Sequence, residues 1–277
     1  MGILRRVAAP TSETLAEALR PLTAAPEQAA ILCDVDGTLA PIVERPEIAR
    51  VPPEAARALG ALAKRYGLVA CISGRSASDA RRLVGVGGIA YAGAHGAELL
   101  EPSGQRPTIA AAFESYAEPV HRFADENVGS DLRTLGVRTE DKGPIVALHW
   151  RGAPDEDAAR AGLERLASLA EQADLAAHWG RKVLEIRPPI PVSKANAVNE
   201  LVAGRDDLRA ALFGGDDATD LDAFDALDAL VEDRTLETAI RVGVASDEGP
   251  AEIVDRADLV VQGTAGFLEV LVALAEA

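Results

Sequence analysis

Two carboxylates stand two residues apart in Asp34-Val35-Asp36-Gly37-Thr38, straight after the apolar run Ile31-Leu32-Cys33. Side chains at i and i+2 of a strand share a face, so both acids are expected to look out of the strand's carboxyl end, where Gly37 frees the backbone to turn. Like charges this close need a cation between them or a proton on one of them, and either arrangement supplies chemistry. Two more polar groups close apolar runs in the same way. Ser73-Gly74-Arg75 follows Leu68 to Ile72 and precedes a helical stretch from Ser76, offering an anion a hydroxyl and the N–H groups of a helix start. Asp216, Asp217 and Asp220 follow the run Ala211 to Gly214, and oxygen donors there, beside the first pair, suit magnesium.

A cation belongs to the same set. Lys194 opens a helical stretch in Ser193-Lys194-Ala195-Asn196, a poor place for an ammonium unless an anion is near. It is one of only four lysines among 28 basic residues, with Lys64, Lys142 and Lys182, and a compact ammonium does what a planar guanidinium cannot. In Gly93-Ala94-His95-Gly96-Ala97-Glu98 the glycines let a ligand come close to His95 and Glu98.

The elements that position these groups alternate. Short apolar strands at about 31–33, 68–72 and 211–214 are each followed by helical spacing, the pattern of a parallel sheet covered by helices. Helices are expected around 12–22, 54–66, 76–84, 193–203 and 267–277, and further strands at Leu230-Val231, Ala239 to Val244 and Leu259-Val260. Between 104 and 187 the character changes. One long helix over 107–129, a hairpin of 136–140 with 145–151 about Asp141-Lys142-Gly143, a helix over 155–173 and two strands at 176–179 and 183–187 read as an antiparallel α+β insert. The expected division is a core of 1–103 and 188–277, with an N-terminal helix, and an inserted domain of 104–187.

Composition narrows the partners. The formal charge is -16, from 44 acidic against 28 basic residues, which argues against a nucleic acid or an anionic membrane. No apolar run approaches the roughly 20 residues that span a bilayer, and Met1 to Pro10 carries no apolar leader core, so a soluble cytoplasmic protein is expected. Cys33 and Cys71 lie inside apolar runs and read as small buried hydrophobes.

The order Asp34-x-Asp36-Gly37-Thr38, Ser73-Gly74-Arg75, Lys194, Gly215-Asp216-Asp217-x-x-Asp220 resembles the haloacid dehalogenase-like phosphatases. More narrowly, Gly93 to Glu98, Ala147-Leu148-His149-Trp150-Arg151, Leu184-Glu185-Ile186-Arg187-Pro188 and Gly215 to Asp220 are similar to trehalose-6-phosphate phosphatases, from about residue 28 to 270. Leu221 and Ala195 depart from that pattern, standing where the family usually has glutamate and glycine.

The resemblance implies a Rossmann-like α/β core with an inserted α+β cap, and magnesium-dependent hydrolysis of trehalose 6-phosphate, with a trehalose-phosphate synthase as a functional partner. It implies Asp34 as nucleophile, Asp36 as acid and base, and Ser73 and Lys194 on the phosphoryl oxygens. The metal would be held by Asp34, the Asp36 main chain and Asp216, with Asp217 and Asp220 behind them. Gly74 and Arg75 would contact the substrate, and the sugar would lie under the cap against His95, Glu98, Arg151, Arg181 and Glu185. Other readings are a phosphatase for sucrose phosphate or a mannosyl or glucosyl phosphoglycerate, and a sugar phosphomutase.

Overall fold

The computed structural model describes residues 12–43, 48–246 and 249–277, which divide into two compact units. The first comprises residues up to Gly96, Leu100–Pro107 and Ser193–Ala277; the second comprises Ala97–Leu99 and Thr108–Val192.

In the first unit, β1 (Ala29–Cys33), β2 (Leu68–Ile72) and β10 (Ala210–Gly215) are buried at every residue. They are central strands of a parallel sheet, and burial on both faces is why they read as unbroken apolar runs. The parallel strands lie in the order β12-β11-β10-β1-β2-β3, with β3 at Ala90–Gly93, β11 at Thr238–Ala245 and β12 at Leu259–Gln262. Cys33 is in register with Gly214 on one side and Cys71 on the other. The residues that follow β1, β2 and β10 therefore emerge together at one edge. Strand order reverses about β1, and open parallel sheets bind ligands at such a point, outside the carboxyl ends of the strands.

Helices α1 (Ser12–Thr23), α2 (Pro53–Leu62), α3 (Ala77–Val84), α7 (Lys194–Val202), α8 (Asp220–Glu232), α9 (Ala251–Arg256) and α10 (Gly263–Glu276) complete the unit. Leu230-Val231 lies in α8, not in a strand, because an apolar pair alone does not distinguish a buried helix face from a strand. Cys33 and Cys71 are both inaccessible to solvent, with their thiols 4.0 Å apart.

Strand β4 (Glu98–Leu100) pairs antiparallel with β5 (Thr108–Ile109), Glu98 opposite Ile109. The stretch 107–129 is thus not one helix: β5 and a 3₁₀ turn precede α4 (Glu114–Asn127), and α5 (Ser130–Thr134) follows. A four-stranded antiparallel sheet runs in the order β6-β7-β9-β8, formed by Arg138–Lys142, Ile145–His149, Val183–Arg187 and Ala176–Gly180. Alternate residues Val146, Leu148, Leu184 and Ile186 pack with Val120 and Phe123 of α4 and with Leu163 and Leu166 of α6 (Glu156–Gln172). The opposite face carries the other alternates, and there one row runs Glu140, Ala147, Glu185, His178 across the four strands. No helix of the described residues is long and apolar enough to cross a membrane.

Candidate active site

Asp34 leaves β1 with its N–H on the Gly214 carbonyl at 2.8 Å, so the chain is still tied to β10 as the first carboxylate appears. The loop then closes tightly: Leu39 and Ala40 donate to the Val35 carbonyl, and Gly37 takes φ +97. A Cβ at Gly37 would overlap the Asp216 carboxylate, which follows β10, so a glycine is required both by the backbone conformation and by the close approach. Buried Thr38 donates to Asp216 Oδ1 at 3.0 Å and fixes how that carboxylate faces β1.

Lys194 is 2% exposed, and its Nζ donates to Asp34 Oδ1 and Asp220 Oδ1, each at 2.6 Å. Its helix starts there because Asn196 Oδ1 accepts from the Ser193 N–H, and the two acids offset the unfavourable position of an ammonium at a helix amino end. Burial opposes the ammonium, but Asp220 and Asp34 outweigh it and hold its pKa above the ordinary lysine value. Asp220 Oδ2 accepts from the Asp216 and Asp217 N–H groups, so this acid braces both the lysine and the loop after β10. Asp217 instead accepts from the Thr219 N–H and hydroxyl.

One carboxylate oxygen each from Asp34, Asp216 and Asp220 lies within 4.8 Å of the others. Burial, offset by Lys194 and reinforced by Asp220 and Asp216, pushes the Asp34 carboxyl well above the usual range. Burial and Asp220 push Asp216 up to about 7. Three carboxylates face one ammonium, an excess of two negative charges that one divalent cation would cancel. Hard oxygen donors with this deficit fit such an ion. The Asp36 side chain is not part of this cluster. The expected crowding of Asp34 against Asp36 is relieved by separate cations, Lys194 on the first and Arg75 on the second.

After β2, Ser73 continues the pairing to β3 through the Ala92 carbonyl, and its hydroxyl accepts from the Arg75 N–H at 3.2 Å. Ala94 and His95 both adopt positive φ, 49° and 57°, which turns the chain so that their N–H groups reach the Arg75 and Ser73 carbonyls. The imidazole then lies against Gly74, where a Cβ would meet His95 Cε1 at 2.7 Å. Ser73, Gly74, Arg75 and His95 thus form one loop pair beside Asp34.

A family profile described as trehalose-phosphatase matches residues 32–255, from β1 through α9. The chain belongs to that family. This trehalose-phosphatase family member is 38% identical over 209 residues to the trehalose-phosphate phosphatase of Mycobacterium avium, covering 72% of this chain and 51% of that protein. It is 41% identical over 210 residues to a Mycobacterium tuberculosis protein named as an uncharacterized glycosyl hydrolase, covering 72% of this chain and 15% of that protein. The chain spans about half or less of the length of these curated relatives. Among solved structures, the C-terminal domain of Candida albicans trehalose-6-phosphate phosphatase matches with TM-score 0.66 and 23% identity over 99% of each chain. A trehalose-6-phosphate phosphatase related protein matches with TM-score 0.64 and 22% identity, over 89% of this chain and 97% of that one. The first unit is a Rossmann-like α/β fold with a mostly parallel sheet, and the chain shares its fold with these solved structures.

The second unit of this trehalose-phosphatase family member places its expected residues unevenly. Glu98 and Glu185 are buried, 7% and 6% exposed, which is rare for glutamate without partners. Glu185 accepts from Lys142 Nζ at 3.0 Å and from the Arg187 guanidinium, and the Glu140–His149 pair adjoins it. Arg151 and Arg181 are exposed, and Arg151 donates to the main chain at the Arg181 carbonyl. Arg181 does not share a strand face with Glu185: β9 begins at Val183, and Arg181 sits in the turn with Lys182 at φ +64. Lys142, expected in the turn from its Asp-Lys-Gly context, instead ends β6 facing Glu185, and Gly143 and Pro144 make the turn. The rarity of lysine in this chain was the signal that could have found it.

Burial pushes Glu185 up, but Lys142 and Arg187 prevail and hold it at about 2, below the ordinary glutamate value. A carboxyl whose folded pKa is depressed stabilises the fold above its unfolded pKa and loses that contribution as pH falls toward the folded value. Glu185→Gln is therefore expected to lower stability at pH 7 by up to about 3 kcal/mol, with the gap from wild type narrowing between about pH 4.5 and pH 2. Urea unfolding across that range checks it, and a pH-independent gap would show that the charge of Glu185 contributes nothing.

Proposed function

We propose that this chain is a magnesium-dependent phosphatase that hydrolyses trehalose 6-phosphate to trehalose and phosphate through an aspartyl phosphate on Asp34. The observation that carries the reading is the buried Lys194 bridging Asp34 and Asp220 at the carboxyl ends of β1 and β10. It aims one Asp34 oxygen while leaving the other open, and a covalent intermediate on that oxygen splits one hard displacement into two.

In the first step an Asp34 oxygen attacks phosphorus, the bond from phosphorus to the sugar oxygen breaks, and Asp36 gives that oxygen a proton. In the second, Asp36 takes a proton from water as the water oxygen attacks the same phosphorus, releasing phosphate and restoring Asp34. Lys194 has three donors and uses two on Asp34 and Asp220, so the third serves a phosphoryl oxygen, with the Ser73 hydroxyl and the Gly74 main chain on the others. Asp34, the Asp36 main-chain carbonyl and Asp216 would hold magnesium, which would neutralise charge on the transferring phosphoryl group. Within the second unit, the buried Glu98, Lys142 and Glu185 are groups that suit sugar hydroxyls. Buried charged partners suit a ligand with many hydroxyls, since an analogue lacking them leaves polar groups unpaired. A synthase that makes the phosphorylated disaccharide would supply the substrate in the cytoplasm.

The test is phosphate release, with and without magnesium, from trehalose 6-phosphate, sucrose 6-phosphate, glucose 6-phosphate and a glucosyl phosphoglycerate. The expected result is metal-dependent release with kcat/KM highest for trehalose 6-phosphate. Preference for another sugar phosphate would keep the chemistry and discard the substrate, and return of labelled phosphate to the sugar would make the chain a mutase.

A further inference from the structure

The Arg75 guanidinium meets Asp36 as a fork: Nε donates to Oδ2 at 2.7 Å and an Nη donates to Oδ1 at 2.6 Å. Two parallel charge-assisted bonds fix the plane of a carboxylate as well as its place, which a single contact does not. Arg75 is itself held at both ends of its peptide unit, its N–H on the Ser73 hydroxyl at 3.2 Å and its carbonyl on the Ala94 N–H at 2.7 Å. The fork is thus anchored in the loop after β2, while its target rides on the Gly37 turn after β1. Asp34, two residues earlier, is held by a different cation from a different element. The sequence places Arg75 among the groups for the substrate, yet both arms of its fork lie on Asp36.

We propose that Arg75 is a positioning residue for Asp36 in its ionised form, the form that takes the proton from water in the second step, acting on the reaction through that carboxylate and not as a ligand of the substrate's phosphate. Without the fork, Asp36 is free to rotate about its side-chain bonds, and misplacement of a proton-transfer group by about 1 Å costs on the order of a hundredfold in rate. Lysine does not replace the fork, because an ammonium is a point donor and cannot bridge both carboxylate oxygens in one plane. The proposal rests on the phosphatase reading of the same site.

A double-mutant cycle with p-nitrophenyl phosphate and magnesium tests it, since that phenolate leaves without needing a proton and Asp36→Asn keeps a measurable rate. Arg75→Ala is expected to lower kcat about ten- to a hundredfold with KM changed less than about twofold, and Arg75→Lys to recover little of it. In an Asp36→Asn background, Arg75→Ala should lower kcat no further, because the group it positions is already gone. Inhibition by orthovanadate should be equally tight in wild type and Arg75→Ala. An additive cycle, a rise in KM as the main effect, or weakened vanadate binding would overturn the proposal and make Arg75 a phosphate ligand or a structural residue. Wild type that cleaves p-nitrophenyl phosphate but not trehalose 6-phosphate would overturn only the sugar assignment. Wild type that cleaves neither would overturn the phosphatase reading and this proposal with it.

Discussion

Asp34→Asn should abolish phosphate release, by on the order of 10⁴-fold or more, in a protein at least as stable as wild type when no divalent metal is present. The two halves of this expectation have one cause. An amide cannot attack phosphorus, so the covalent route closes. The amide oxygen still accepts from Lys194, and the Asp34 main chain still pairs with Gly214, so the geometry of the loop survives. What the substitution removes is a negative charge that burial disfavours and that Asp220 and Asp216 repel. A carboxyl whose folded pKa is raised destabilises the fold once pH exceeds its unfolded value, so at neutral pH a neutral isostere relieves that cost. Active sites commonly hold such a conflict between stability and activity. Phosphate release and a thermal melt in EDTA check both halves. Turnover above a trace would remove Asp34 as nucleophile, and a melt lowered by many degrees would show that its charge is structural.

How far the sequence discloses this site depends on the range of the interaction. Asp34, Ser73 and Asp216 are legible because each directly follows a strand buried on both faces, and such strands stand out as apolar runs of five or six residues. Their convergence needs only the parallel order of β10, β1 and β2. Lys194 is legible by its awkwardness at a helix start, which requires nearby anions, although nothing local says which ones. The Arg75–Asp36 fork joins residues 39 apart and is visible only when β1 and β2 are side by side. Strand β5 is two residues long and exists because β4 is there to pair with it, so helical spacing around it misled. Lys142 was displaced by one position of a turn, and in a strand a single step exchanges one face for the other. The placement of polar groups at strand ends is therefore readable, and the partners they meet are set by tertiary pairing.

Lys194→Met should be the most destabilising single change in the core unit, by about 3–5 kcal/mol at pH 7 in EDTA, besides removing phosphatase activity. The substitution keeps the length and apolar stem of the side chain, so packing against its buried surroundings changes little, and the effect is one of charge. Asp34 and Asp220 lose their shared donor at 2.6 Å while remaining buried, with Asp216 close by. The carboxylates left without the ammonium respond by taking up protons, so the deficit should shrink as the solution is acidified below neutrality, whereas an ordinary cavity would give a deficit independent of pH. A second signature follows from who repels whom. Adding Asp220→Asn to Lys194→Met removes one of the stranded charges and keeps an oxygen for the Asp216 and Asp217 N–H groups, so the double variant should be more stable than Lys194→Met alone. Magnesium should also restore part of the stability of the single variant, because the excess charge it meets is larger than in wild type. Urea unfolding of the three proteins, with and without the metal, measures all of this. A double variant less stable than the single would show that Asp220 stabilises the fold through the loop it braces, independently of the lysine it faces.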